Sequence, residues 1–261
     1  MTIGIRWTIG TVSPRGFEAL RLSIRGAVKV FGAEAAYTVV VNTLPVEDAL
    51  EHTGPVPEAV TWRPAEAVPD ILKPHLDAAM AEGTAWKFAP LRCFPDRWEI
   101  ALDNDCILWS LPPSMAGWIG GDRLGCLMAE DVRLAHGRFT DLAGPRPGNT
   151  GIRGFPPGYD ATGALARMLA RHPARLTSEL DEQGLQVAAF AQDRPLTFVA
   201  TEEVALCSPF WPLQPHLGTC GAHFVGLNAH RLPWHWYDRP ASEVLAEHWD
   251  RLRPELERLT S

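Results

Sequence analysis

The sequence predicts a single α/β domain in which a central, mostly parallel mixed sheet is flanked by helices. Three features carry this expectation. The chain opens with a strand-helix-strand unit, which favours a parallel pair joined by a right-handed crossover. An apolar run from Trp98 to Leu108 reads as a buried central strand. At 261 residues with 46% hydrophobic content, the chain can bury one large core.

Ile3 to Ile9 is the first predicted strand. Ser13-Pro14 then announces a helix over Gly16 to Phe31, with the serine as N-cap and the proline at the first position, and Gly32 stops it. The β-branched run Tyr37 to Val41 is the next strand, with Asn42-Thr43 at its carboxyl edge. A Pro-punctuated stretch from Pro45 to Pro74 holds a short strand, Ala59 to Arg63, before a helical pattern from Ile71 to Glu82. Glu99 to Leu102 is the central strand. From Leu111 to Pro147 short apolar runs alternate with Gly and Pro, and Pro145 to Gly148 is a loop. Asn149 to Gly154 reads as a short strand or turn, Ala161 to Arg171 as a helix with Leu165, Met168 and Leu169 at helical spacing, and Glu182 to Ala191 as a second helix. Strands follow at Leu196 to Ala200, Val204 to Cys207 and Ala222 to Asn228. The last element is a helix over Ala241 to Leu259, with Ser242 and Glu243 at a capped start and Trp249 in an amphipathic body.

A net charge of −7 and a pI near 5.7 disfavour a nucleic-acid or anionic-membrane binder, which would present a basic face. Five scattered cysteines without a C-x-x-C pair read as reduced thiols. No segment approaches the ~18 consecutive apolar residues of a membrane span, and Met1 to Gly10 lacks the pattern of a signal peptide. The expectation is a soluble cytoplasmic protein.

The chemistry concentrates at Leu102-Asp103-Asn104-Asp105. Alternating side chains along a strand would let Asp103 and Asp105 point the same way. Two convergent carboxylates form a hard, oxygen-only half-site for Mg²⁺ or Mn²⁺, which bridges to phosphate oxygens. The plain alternative is an Asx turn ending the strand. Glu179-x-Asp181 and Glu255-x-Glu257 share the acid spacing, but only Asp103 and Asp105 are flanked by apolar residues on both sides, where an acid needs a reason.

Four places give the chain a resemblance to glycosyltransferases of the GT-A fold, and more loosely to the family-8-like branch that includes glycogenin and galactosyltransferases. They are Leu102-Asp103-Asn104-Asp105 as a D-x-D motif, Asn149-Thr150-Gly151 as an N-[SA]-G-like motif, Asp181-Glu182-Gln183-Gly184-Leu185 as a D-Q-D-like motif, and His223-Phe224-Val225-Gly226 as H-x-x-G. The resemblance implies a GT-A-like domain with a nucleotide-binding half over residues 1–110 and an acceptor-side half over 111–261. It implies that Asp103, Asp105 and His223 hold Mn²⁺ or Mg²⁺ on the diphosphate of a nucleotide-sugar donor, UDP-sugar foremost, whose sugar passes to an unknown hydroxyl acceptor. Asn149 and Gln183 would contact substrate, and Asp181 or Glu182 would stand near the anomeric centre or the incoming hydroxyl. The match slips by a residue there, and acids at a helix N-terminus are also favoured by its dipole.

The Lys-Pro-Trp run that follows H-x-x-G in the family is replaced here by Leu227 to Trp234, so its phosphate-contacting lysine is missing. His230 or Arg231 would substitute, or Lys87 or Arg92 upstream of the D-x-D strand. Thr11, after the first strand, would lie near the nucleotide, as ligands of open α/β sheets sit at strand carboxyl ends. His223, His230, His235 and Asp238 also suggest zinc, but no H-E-x-x-H spacing supports it, and Trp234, Trp236 and Tyr237 read as packing or sugar-stacking aromatics. The alternatives are a sugar-1-phosphate nucleotidyltransferase, whose Gly-rich loop is only distantly echoed by Gly10 to Arg15, and a degenerate GT-A-like binding domain.

Overall fold

Strand β1 (Ile3–Ile9) is buried along most of its length, as a central parallel strand must be. The computed structural model describes residues 2–77, 84–121, 125–228, 232 and 234–261. Helix α1 (Pro14–Phe31) starts as predicted. Ser13 Oγ accepts from the Gly16 amide at 3.2 Å, Pro14 opens the first turn, and Gly32 ends the helix at φ +72°. Strand β2 (Ala36–Val41) pairs parallel to β1, and after α2 (Val46–Thr53), β3 (Val60–Pro64) pairs parallel to β2. The helix expected over Ile71 to Glu82 is not present over its described part. Only Lys73–His75 forms a 3₁₀ turn, because Leu76 becomes extended to bridge Leu176; residues 78–82 lie outside the described residues.

Strand β4 (Trp98–Asp103) lies on the other side of β1, and the apolar run then breaks. Asn104 and Asp105 form a turn, and β5 (Cys106–Leu108) belongs to a second sheet. The stretch 111–147 contains α3 (Pro113–Gly120) and β6 (Cys126–Glu130), followed by β7 (Gly148–Phe155). Helix α4 (Ala161–Arg171) has the expected bounds, whereas α5 (Glu179–Asp193) begins before Glu182 because Ser178 caps it. Strand β8 (Leu196–Val199) completes a seven-stranded sheet of order β3-β2-β1-β4-β7-β6-β8, in which β7 alone runs antiparallel to its neighbours. The order doubles back at β1 and β4. That is the switch point whose carboxyl-end crevice receives ligands in open α/β sheets.

Strands β9 (Val204–Leu206) and β10 (Gly221–His223) join β5 in the order β5-β10-β9. The strand expected to run to Asn228 stops at His223, where the chain turns back on itself with Leu227 donating to Phe224 O at 3.1 Å. A hairpin of β11 (His235–Trp236) and β12 (Arg239–Pro240) precedes α6 (Ala241–Thr260). Ser242 is not its cap. The helix begins at Ala241 as expected, after Pro240, with no side chain capping it.

The large cores lie on opposite faces of the main sheet. Leu20 and Ile24 of α1 pack with Trp7, Ile100 and Leu102, while α4 and α5 pack Leu165 and Phe190 with Met128 and Phe155. The far side of α1 offers Ala19 and Leu22 to Ile107, Ala222 and Trp249, so α1 is clamped between the two sheets. Gly26 permits this approach, since a Cβ there would lie 1.9 Å from Leu108 O. Among the described residues, no helix is long and apolar enough to cross a membrane.

Candidate functional site

Asp103 closes β4 at the centre of the sheet, and the following turn rather than strand alternation brings Asp105 beside it. Asn104, between them, fixes the turn: its amide donates to Gly16 O at 3.0 Å and exchanges hydrogen bonds with the Asn228 amide at 2.8 and 2.9 Å. Asn228 also donates to Asp105 Oδ2 at 3.3 Å. The second sheet supplies the third member. His223 pairs with Cys106 across the β5–β10 ladder, and Phe224 donates to Asp105 O at 2.9 Å. His223 Nε2 therefore lies 3.3 Å from Asp105 Oδ1 and 3.8 Å from Asp103 Oδ2.

One ligand atom from each of Asp103, Asp105 and His223 lies within 4.8 Å of the others, the arrangement of a site that could hold a metal ion. Two hard carboxylates with one imidazole suit Mg²⁺ or Mn²⁺ better than a thiolate-seeking ion. Among the described residues no other trio of His, Cys, Asp or Glu has this arrangement, and His235 and Asp238 take no part in it. Gly151 makes room for the imidazole, because a Cβ there would lie 2.4 Å from His223 Nδ1.

Lys87, in the 3₁₀ helix Thr84–Phe88, reaches into the same cleft. Its ammonium lies 2.8 Å from Asp103 Oδ2, 2.9 Å from Thr150 Oγ1 and 3.7 Å from Glu182 Oε2. Burial works against the charged lysine, yet Asp103 and Glu182 outweigh it and raise its pKa. Burial also works against the Asp103 carboxylate, but Lys87, His223 and Arg153 bring its pKa below the ordinary value. For Glu182 burial wins: its pKa is raised, with Lys87 and Arg153 offsetting only part. His223 is driven down by burial and more strongly up by its hydrogen bond and charge contact with Asp105.

The cleft, about 350 Å³, is also lined by Asn149 and Gln183. Both are oriented by Asp131, which follows β6: Asn149 donates to its Oδ2 at 3.0 Å and Gln183 at 3.4 Å. Behind Glu182, Gln186 donates to its carboxylate and accepts from buried Arg153 at 3.1 Å. Asp131, Arg153, Gln186 and Asn228 were not expected from the sequence, and Thr150 only as the middle of the Asn149-Thr150-Gly151 motif. Asp131 had a signal, an acid closing the short apolar run Cys126 to Ala129, but the irregular stretch around it hid the strand.

Asp181 and Glu182 separate here. Asp181 turns out of the cleft and accepts from the Arg138 amide, the Thr177 amide and the Thr177 hydroxyl, each at 2.9 Å. Burial opposes its charge, but these bonds and Arg138 lower its pKa. Asp181→Ala should cost about 1–2 kcal/mol in urea unfolding at pH 7, because the Thr177 and Arg138 amides and the Thr177 hydroxyl lose a charged acceptor. A carboxyl with a depressed folded pKa stabilises above its unfolded value of about 3.9 and loses that contribution as pH falls through the folded value. The gap between wild type and variant should thus close below about pH 4, and a gap unchanged down to pH 2 would refute this role.

Of two other expected ligands, Arg92 is spent structurally. Arg92 donates to Pro156 O, Tyr159 O, Phe94 O and Arg97 O at 3.0–3.1 Å and faces Glu99, which leaves it bound within the fold rather than facing a phosphate. The Thr11 amide donates to Thr43 Oγ1 at 2.9 Å, and Thr11 is exposed outside the cleft lining. His230 and Arg231 lie outside the described residues.

No protein-family model matches the chain, and no curated protein does. Solved structures do. Galactosyltransferase LgtC in complex with donor and acceptor sugar analogues aligns with 99% of this chain and 100% of its own, at a TM-score of 0.59 and 12% identity. A structure of an active-site mutant of LgtC aligns over 95% of both chains at 0.57 and 10%. Mouse xyloside xylosyltransferase 1, in its apo form, aligns with 85% of this chain and 97% of its own at 0.55 and 10%. The chain has the GT-A fold of these glycosyltransferases.

Proposed function

We propose that this GT-A-fold chain is a soluble cytoplasmic, metal-dependent glycosyltransferase that moves a sugar from a nucleoside-diphosphate sugar, a UDP-sugar foremost, to a hydroxyl acceptor. The observation that carries the reading is the Asp103–Asp105–His223 cluster at the sheet's switch point, opening into a cleft whose other groups suit a sugar. Asp103, Asp105 and His223 would hold Mn²⁺ or Mg²⁺. A bound divalent cation supplies charge that offsets what develops on the departing diphosphate. It requires a neutral imidazole, so metal loading should displace the proton that Asp105 favours on His223.

Lys87 places a second positive charge beside Asp103, suited to the donor's anionic portion. The oriented amides of Asn149 and Gln183 offer hydrogen bonds to sugar hydroxyls. Glu182, a cleft carboxyl 3.7 Å from the Lys87 ammonium, would stand near the reacting centre; Asp181 supports the helix that carries it. Thr11, at the carboxyl end of β1, borders the nucleotide side. The nucleotide then rests on residues 1–110 and the acceptor on 111–261.

The test is calorimetric titration with UDP in the presence and absence of Mn²⁺, followed by a screen of nucleotide sugars for Mn²⁺-dependent hydrolysis. Saturable UDP binding that needs Mn²⁺, and turnover of one donor, is the expected result. Absence of any nucleoside-diphosphate binding with Mn²⁺ present would leave a binding domain without donor chemistry. Consumption of a nucleoside triphosphate with a sugar 1-phosphate would instead make the chain a nucleotidyltransferase.

A further inference from the structure

One feature of the acceptor-side half takes no part in the metal cluster. The segment after β9 is pinched at its base, where Ser208 donates to Gln214 O and Gln214 to Leu206 O, both at 2.9 Å. The loop between them faces two ways. Leu213 lines the cleft, while Phe210 is anchored among Ala241 and Leu245. Trp211, at the tip, is 85% exposed.

Phe210 is the hub of an aromatic run. Trp234 meets its ring edge-on at 4.5 Å and Trp236 at 5.3 Å, and Tyr237 meets Trp236 at 5.5 Å. Tyr237 is 86% exposed and sits at the tip of the β11–β12 hairpin with φ +54°. Glycine or asparagine serves such a position at little cost; a bulky ring there is strained and presented to solvent. Large exposed aromatic surface rimmed by polar groups marks a contact site.

Resting on the transferase reading, we propose that Trp211, Trp234 and Tyr237 form an aromatic rim beside the cleft that stacks the rings of a neutral saccharide acceptor. Continuity supports this, since the loop that displays Trp211 also lines the cleft through Leu213. The apolar C–H face of a pyranose fits a flat aromatic face, while its hydroxyls stay solvated at the ring edge. Charge selects against the other occupants of such rings. Among the described residues around the hairpin, Asp238, Glu243 and Glu247 outnumber Arg239, whose guanidinium is paired to Glu247 at 2.5 Å and lies 4.0 Å from Glu243. An anionic lipid surface or a phosphorylated acceptor would require the opposite sign.

The test is retention of the full chain on an array of neutral oligosaccharides, for wild type, Trp211→Ala, Tyr237→Ala and Trp211→Phe, with thermal melts to verify folding. Wild type should be retained by at least one neutral glycan. Each alanine variant should lose about 3- to 10-fold in affinity, the scale of one aromatic stacking contact, and Trp211→Phe should recover most of it. Retention that is absent in wild type, or unchanged in a folded double alanine variant, would overturn the proposal. So would co-sedimentation with phosphatidylcholine/phosphatidylglycerol vesicles that depends on these rings, which would assign them to a membrane. Glycan retention without Mn²⁺-dependent UDP binding would sink the transferase reading alone; UDP binding without glycan retention would sink the rim alone.

Discussion

Replacing Asp103 and Asp105 together with Asn should abolish Mn²⁺-dependent UDP binding, a loss of at least about 100-fold in calorimetry. Asparagine keeps the shape of each side chain and removes its charge. Removing partners one layer further from a metal already costs roughly 10- to 100-fold, so loss of two carboxylate ligands should exceed that. The single variants separate the metal from the fold. Asp103 also holds Lys87 at 2.8 Å, and without it the nearest carboxylate is Glu182 at 3.7 Å. Asp103→Asn should therefore lower metal-free stability by about 1–2 kcal/mol, because a partly buried ammonium loses its closest partner. Asp105→Asn spares that pair and should lose UDP–Mn²⁺ affinity with little change in the urea midpoint. Wild-type affinity in folded Asp105→Asn would remove the cluster from consideration as the metal site.

Glu99→Ala should be the most destabilising single substitution of these, about 3–5 kcal/mol in urea unfolding. Glu99 and Arg6 are both fully buried, with Arg6 Nε 2.9 Å from Glu99 Oε1. The same carboxylate accepts from the Phe94 amide at 2.7 Å and the Cys93 amide at 3.0 Å, and faces Arg92 at 3.4 Å. Truncation leaves a buried guanidinium without its counter-charge, although Arg6 still donates to Leu91 O at 2.8 Å, and two amides without their acceptor. Glu99→Gln, which keeps an acceptor but not the charge, should fall between wild type and Glu99→Ala. A Glu99→Ala stability within about 1 kcal/mol of wild type would mean that Arg6 and the loop find other partners. The effect should reach the site as well, since the loop held by Glu99 follows the 3₁₀ helix that carries Lys87.

Glu99 shows where a sequence reading stops. It is an acid inside the same apolar run as Asp103, yet one acid anchors a loop beneath the sheet and the other opens into the cleft. Asp181 and Glu182 make the point again. Adjacent residues on a helix point about 100° apart, a direct result of 3.6 residues per turn, and of these two one lines the cleft. Which one depends on where α5 packs against β7, and that is a tertiary matter. The helix expected at Ile71 failed for a related reason: Leu76 bonds to a distant segment, a contact no local pattern carries.

The local rules of the chain held well where burial and capping act on neighbours in sequence. The β1–α1–β2 unit, the caps at Ser13 and Gly32, the bounds of α4 and the acids closing β4 were all legible, because each rests on contacts within a few residues. Lys87 against Asp103, Asp131 beneath Asn149, and Asn228 against Asn104 join residues 16 to 124 positions apart. Such pairs exist only once α1 is clamped between two sheets and β10 lies beside β5. Long-range packing places the cation, the orienting carboxylate and the imidazole around a pair of acids that the sequence had already marked.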